Sequence, residues 1–151
     1  MALTTHQTAF AQGSVKHFQY TLETTASASK IWQIWTDVAQ WHTWDKGLQR
    51  ASLSEPFRGG ARGTLISNQG RETKFIVTEV DEGISYTFKT RLPLGSLHIT
   101  RSLVARDTVL FTHEVLFQGL TGGIFARKFG EGFRKMLPEV MEKIKQQAEA
   151  P

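Results

Sequence analysis

Cysteine is absent from the 151 residues, which excludes disulfides, thiol nucleophiles and thiolate metal sites. The same absence fits a reducing compartment, and a cytoplasmic location is expected. Long apolar runs are also missing: none approaches the ~20 residues that a membrane-spanning helix needs. The opening stretch MALTTHQTAFAQG lacks the basic and apolar regions of a secretory signal, so residues 1–13 are expected to form a flexible polar tail. Catalytic templates are scarce. The five histidines, His6, His17, His42, His98 and His113, show neither helical zinc spacing nor a paired carboxylate. No serine sits in a nucleophile-elbow sequence. The glycine-rich FRGGARGT and GEGF lack the strand–loop–helix setting of a phosphate loop, so hairpin and helix-flexing roles account for them. No metal and no cofactor is expected.

A concentrated charge of one sign is missing too. Lys and Arg number 18 against 14 Asp and Glu, a net charge of +4, but the basic residues are scattered from Lys16 to Lys145. The densest group, Arg127, Lys128, Arg134 and Lys135, alternates with Glu131 and Glu139 in a helical pattern and reads as a solvated face. With no RNA-binding sheet signature, zinc-finger spacing or helix-turn-helix pattern, a nucleic-acid partner is not expected.

What is present describes an ordinary globular chain, 40% hydrophobic and 21% charged. A chain of this length buries roughly 70% of its unfolded surface, and one domain over residues 14–148 is expected. All four tryptophans fall in WQIWTDVAQWHTWD, from Trp32 to Asp45. Before it, VKHFQYTLET alternates as a strand with Phe18, Tyr20 and Leu22 inward. Ser27 is placed to cap a helix whose apolar stripe is Ile31, Ile34, Trp35 and Val38. Asp37 and Gln40 have the spacing of an N-cap and its reciprocal partner, which predicts a break into two short helices.

Six strand-like runs follow between Gln49 and Gly119, separated by PFRGGA, QG, DEG, PLG and RD. Such short links imply an antiparallel meander. After GLTGG, a helical pattern runs from about residue 124 to 147, with Phe125, Phe129, Phe133, Met136, Leu137, Val140, Met141 and Ile144 on one face. Pro138 within it is expected to bend it. One antiparallel sheet and one long amphipathic helix make an α+β fold, with the helix laid across a sheet face.

Three stretches carry a family likeness: ASASKIWQIWTDVAQWHTWD, FIVTEVDEGISYTF, and TVLFTHEVLFQGLTGG with the Pro-bearing helix after it. In order and spacing they resemble the START-like, helix-grip (SRPBCC) superfamily, and within it the polyketide cyclase/dehydrase-like branch, over roughly residues 15–148. The resemblance implies a curved antiparallel sheet of about seven strands around the long C-terminal helix, two short helices after the first strand, and a cavity between sheet and helix. It also implies that Trp41 and Trp44 stand near the cavity entrance. It implies less about chemistry, because that superfamily holds carriers of apolar molecules, aromatase/cyclases and lipid-transfer proteins.

Strand parity selects the remaining candidates. Val109, Phe111, His113, Val115 and Phe117 share a face that must be inward, since the other carries Glu114. His113 is then either a satisfied core residue, a polar anchor for a ligand, or a proton donor with a pKa near neutrality. Ile84, Tyr86, Phe88 and Thr90 form the inner face of another strand, and Leu97, Ile99 and Leu103 are favoured over His98 and Thr100 on the next. Arg101 falls on that inner side, where it either reaches the rim or marks an anionic ligand group. Phe75, Phe125, Phe129 and Phe133 complete the expected lining; Phe129 and Phe133 should point at the sheet. Trp35 belongs to the core stripe, and Trp32, about 100° away, packs a flank or stays partly exposed.

The expected function is cofactor-free binding of a small hydrophobic or amphipathic molecule. One alternative is a cyclase/dehydratase-type enzyme, with His113 and a hydroxyl such as Tyr86 moving protons on a polyketide-like or aromatic substrate. Another is a chaperone-assisting or partner-binding module. The shortage of inward titratable groups favours binding.

Overall fold

Alternating apolar side chains set each strand and the 3.6-residue period sets each helix, and a computed structural model shows how they assemble. It describes residues 10–151, with backbone alone for residues 10–12. The strands are β1 (Phe10–Gly13), β2 (His17–Thr24), β3 (Leu48–Leu53), β4 (Arg62–Ser67), β5 (Glu72–Asp81), β6 (Ser85–Leu92), β7 (Gly95–Ala105) and β8 (Val109–Gly119). The helices are α1 (Ala28–Thr36), a short 3-10 helix (Val38–Thr43) and α2 (Gly122–Glu149). The sheet is antiparallel throughout, in the order β1-β2-β8-β7-β6-β5-β4-β3. Strands β3 to β8 form the expected meander, and the first long strand closes against the last.

The seven expected strands are β2 to β8. An eighth, β1, pairs with β2 and corrects the expectation of a tail through residue 13. Its pairing satisfies backbone groups that β2 would otherwise leave bare at the sheet edge. The turn between them needs Gly13, whose φ is 143° and whose added Cβ would lie 2.0 Å from the His17 carbonyl oxygen. The rest of the expected tail, residues 1–9, lies outside the described residues.

Helix α1 begins as its sequence dictates, with the Ser27 hydroxyl accepting from the Lys30 amide at 3.1 Å. Its end differs from expectation. Asp37 makes no side-chain capping bond; instead the Gln40 amide donates to the Asp37 carbonyl at 3.0 Å. This tighter 3-10 turn uses the amide that a capping box would have offered to the carboxylate.

Helix α2 runs past Pro138 as one element and buries Ala126, Gly130, Leu137, Val140, Met141 and Ile144. Its far end is tied to the end of β2, where Thr24 Oγ1 donates to Glu149 at 2.7 Å and the Thr25 amide to the same oxygen at 3.2 Å. All four tryptophans are buried, so of its two expected placements Trp32 takes the packed one, edge-on against Phe57 and Tyr86, and is not partly exposed. Ile84 is likewise corrected, being 51% exposed in the turn before β6 rather than inward with Tyr86. In β5 a register shift between Val77 and Glu79 changes the parity, so that Val80 joins Phe75 and Val77 against the core. Among the described residues, no helix is long and apolar enough to cross a membrane.

Candidate ligand-binding cavity

The sheet register lines up four polar side chains across four strands. Tyr20 on β2 is the partner of His113 on β8, His113 of Arg101 on β7, and Arg101 of Tyr86 on β6. Partners in register share a face, so all four point toward the helical side of the sheet. Three of them are almost completely enclosed: Arg101 is 5% exposed, and His113 and Tyr86 are each 1% exposed.

Arg101 sits in an aromatic cage. Its guanidinium carbon is 4.6 Å from the Trp41 ring centroid, 4.9 Å from Trp44, 5.1 Å from Phe88 and 5.7 Å from Tyr86. These faces attract a cation through the ring quadrupole, most strongly where water is excluded. Arg101 Nη1 donates to the Tyr86 hydroxyl, which donates in turn to the Trp35 carbonyl at 3.3 Å. The Trp41 indole donates to that same carbonyl at 2.8 Å. The break after α1 explains why it is free: carbonyls in the last turn of a helix have no intrahelical partner. Thus the irregular turn at Asp37 sets two walls of the cage.

The cage does not neutralise the charge. Among the described residues no carboxylate lies within 4.0 Å of Arg101, and its Nε has no hydrogen-bond partner. Asp45 is near but engaged, its Oδ1 accepting from the Gly47 amide at 2.9 Å. Burial raises the Asp45 pKa, while that amide and Arg101 pull it back down. His113 Nε2 is also unpartnered. Burial, and then the positive charge of Arg101, hold the His113 pKa well below its usual value of 6.5. The imidazole is therefore neutral across the physiological range, which corrects the expectation of a proton donor with a pKa near neutrality.

Arg101 and His113 open onto a cavity of about 390 Å³ between the sheet and α2. Of the expected site residues, Trp41, Phe88, Leu97, Ile99, His113 and Phe133 line it. Phe75, Phe125 and Phe129 line instead an adjoining open groove of about 1120 Å³, which shares Leu48, Leu65, Leu97 and Phe133 with the inner cavity. Phe125 and Phe129 stack on each other there, half-buried, with ring centroids 5.9 Å apart. Trp44 and Tyr86 stand behind the cavity and hold Arg101 rather than line it. Phe111 is core: it is fully buried against Trp35 and lines neither space.

Several members of the site escaped the sequence reading. Asp45 lines the cavity without having been singled out, Met136 and Val140 were placed on the apolar helix face but not in the site, and Arg101 was given no aromatic partners. The parity of β7 already turned Arg101 inward, so a signal existed. The cage did not, because its four rings come from two helical turns and β6. Among the described residues, no group of three His, Cys, Asp or Glu could hold a metal ion.

A sheet in this order, gripping one long C-terminal helix and enclosing a chamber, is the helix-grip fold of START-like proteins. Residues 16–149 match the family described as polyketide cyclase/dehydrase and lipid transport, and the chain belongs to that family. A search of curated proteins found no significant match. Among solved structures, a protein from Arthrobacter aurescens is 20% identical with a TM-score of 0.71, covering 94% of this chain and 92% of its own. The truncated norcoclaurine synthase of Thalictrum flavum is 14% identical with a TM-score of 0.67, covering 95% and 96%. The di-domain ARO/CYC BexL from the BE-7585A biosynthetic pathway is 16% identical with a TM-score of 0.67, covering 92% of this chain and 52% of that one. At these identities the likeness is one of fold.

Proposed function

We propose that this protein binds a small hydrophobic or amphipathic molecule in the cavity between its sheet and α2, with a cytoplasmic location in keeping with its lack of cysteine. The observation that carries this reading is the cavity itself. A chamber of about 390 Å³ with walls such as Leu97, Ile99, Val115 and Val140 falls within the ordinary size of small-molecule sites. Its polar lining, Asp45, Asn68, Gln69, Arg101 and His113, offers an amphipathic guest polar contacts among apolar walls. The family description, which joins cyclases and dehydrases with lipid transport, supports the same class of guest.

Native mass spectrometry of freshly purified protein, followed by solvent extraction, tests this. A non-covalent adduct that vanishes on denaturation is expected. Protein that is ligand-free, and that takes up no apolar or amphipathic probe in titration, would overturn the reading.

A second reading, catalysis of the cyclase or dehydratase type, is favoured by one observation: a neutral imidazole stands beside a buried guanidinium on one wall of the cavity. His113 could then take a proton from a carbon next to a carbonyl whose oxygen rests at Arg101. Two of the similar structures carry a synthase and an ARO/CYC name, which supports asking the question.

A further inference from the structure

We propose that the molecule held in the cavity carries a single carboxylate-type oxygen anion, which docks on the Arg101 guanidinium beside His113. This deepens the binding reading and rests on it.

A guanidinium presents five N–H donors in a planar fork suited to two oxygens. Here Nη1 is used on Tyr86, Nε is unpartnered, and the group is 95% buried by the complement of its 5% exposure. Buried charges are ordinarily paired, since leaving water without a counter-charge is costly. The four aromatic faces replace part of that hydration but supply no negative charge. The polar neighbours do not complete the pair either. Tyr86 donates onward to Trp35, Asp45 lines the same cavity but makes no ion pair with Arg101 within 4.0 Å, and the His113 pKa is held well below its usual value. Inside the cavity the guanidinium therefore offers donors that no carboxylate of the described residues contacts. His113, which lines the same cavity, offers a second polar contact to that anion or to the oxygen beside it.

Size and approach narrow the guest. The chamber equals the volume of roughly 13 waters, room for a compact one- or two-ring acid. The adjoining groove carries Arg62, Arg71, Lys74, Lys89 and Arg91 against one acid, Glu72. Such a rim raises the local concentration of an anionic molecule before it enters.

The test compares 2-naphthoate with 2-naphthamide, matched in shape and differing in charge, by isothermal titration calorimetry at pH 7.5. The wild-type protein is expected to prefer the carboxylate by about tenfold or more, the ordinary worth of a charge-assisted pair. In Arg101→Met the preference should collapse to parity, and in Arg101→Lys it should survive in part, since the charge remains without the fork. A thermal melt accompanies each variant. Arg101→Met should melt no lower than wild type, because a buried cation kept for a ligand is a burden to the empty fold, whereas a purely structural arginine would lower the midpoint on removal. Equal affinities of wild type for the two probes would overturn the anion site and leave the cavity reading standing. A preference that persists in Arg101→Met would overturn it as well. Failure of both probes to bind wild type would overturn the cavity reading and the anion site together.

Discussion

Arg101 and His113 are register partners on β7 and β8, both inward and both enclosed, and no carboxylate among the described residues pairs with either. Two side chains that both bear positive charge when protonated thus share one wall. Burial and the positive charge of Arg101 both disfavour a second cation there, so His113 is the one that yields. This pairing sets the response of the site to acid.

Stability should fall with acid through His113. Its folded pKa lies well below the unfolded value near 6.5, so the unfolded chain binds the extra proton first. The contribution of neutral His113 is fully present above about pH 6.5 and is lost as pH falls toward the folded value. Urea unfolding of wild type and His113→Phe across pH 7.5 to 5 should show a shallower decline in the variant. His98, whose pKa is also lowered by burial, contributes to both proteins and cancels in the comparison. Parallel curves would refute the assignment.

Tyr86→Phe removes the hydroxyl that accepts from Arg101 and donates to the Trp35 carbonyl. The ring remains, so the loss is confined to two hydrogen bonds in a buried setting, and a destabilisation of about 1–3 kcal/mol is expected from denaturant unfolding. A change near zero would mean that the hydroxyl does not hold the arginine.

Phe111 and Phe129 separate core from cavity. Phe111 is fully buried, and Phe111→Ala should cost about 3–5 kcal/mol. Phe129 is half-buried on the open groove, so Phe129→Ala should cost about 1 kcal/mol or less, well short of what full packing against the sheet would imply. Equal losses in equilibrium unfolding would place Phe129 in the core after all.

Binding and catalysis part at His113→Phe. If the cavity only holds its guest, the loss of one hydrogen bond weakens affinity by about 1 kcal/mol, roughly fivefold. If His113 moves a proton, the same change leaves affinity near wild type and lowers turnover by about a hundredfold or more. Titration of both proteins with the extracted ligand, followed by product analysis, distinguishes the two.

Local pattern determined much of this molecule. A strand turns alternate residues to opposite faces, so the inward set on β8, including His113, follows from Glu114 lying on the other side. The same parity placed Arg101 inward on β7, and the 3.6-residue period found α2. Ser27 could be read as a cap because its bond reaches only three residues along the chain. Other features depend on distances between segments that no short window contains. Strand β1 exists because β2 has an open edge, and the inward set of β5 is shifted by a bulge that alternation alone does not signal. Phe111 and Phe125 are equally apolar in the sequence, yet one is sealed against Trp35 and the other borders an open groove. The fate of Arg101 illustrates the division. Its direction is a property of one strand, settled by backbone geometry, whereas its aromatic cage and missing counter-ion arise only when α1, the 3-10 turn and β6 close around it, because burial and electrostatic pairing are set by neighbours in space rather than along the chain.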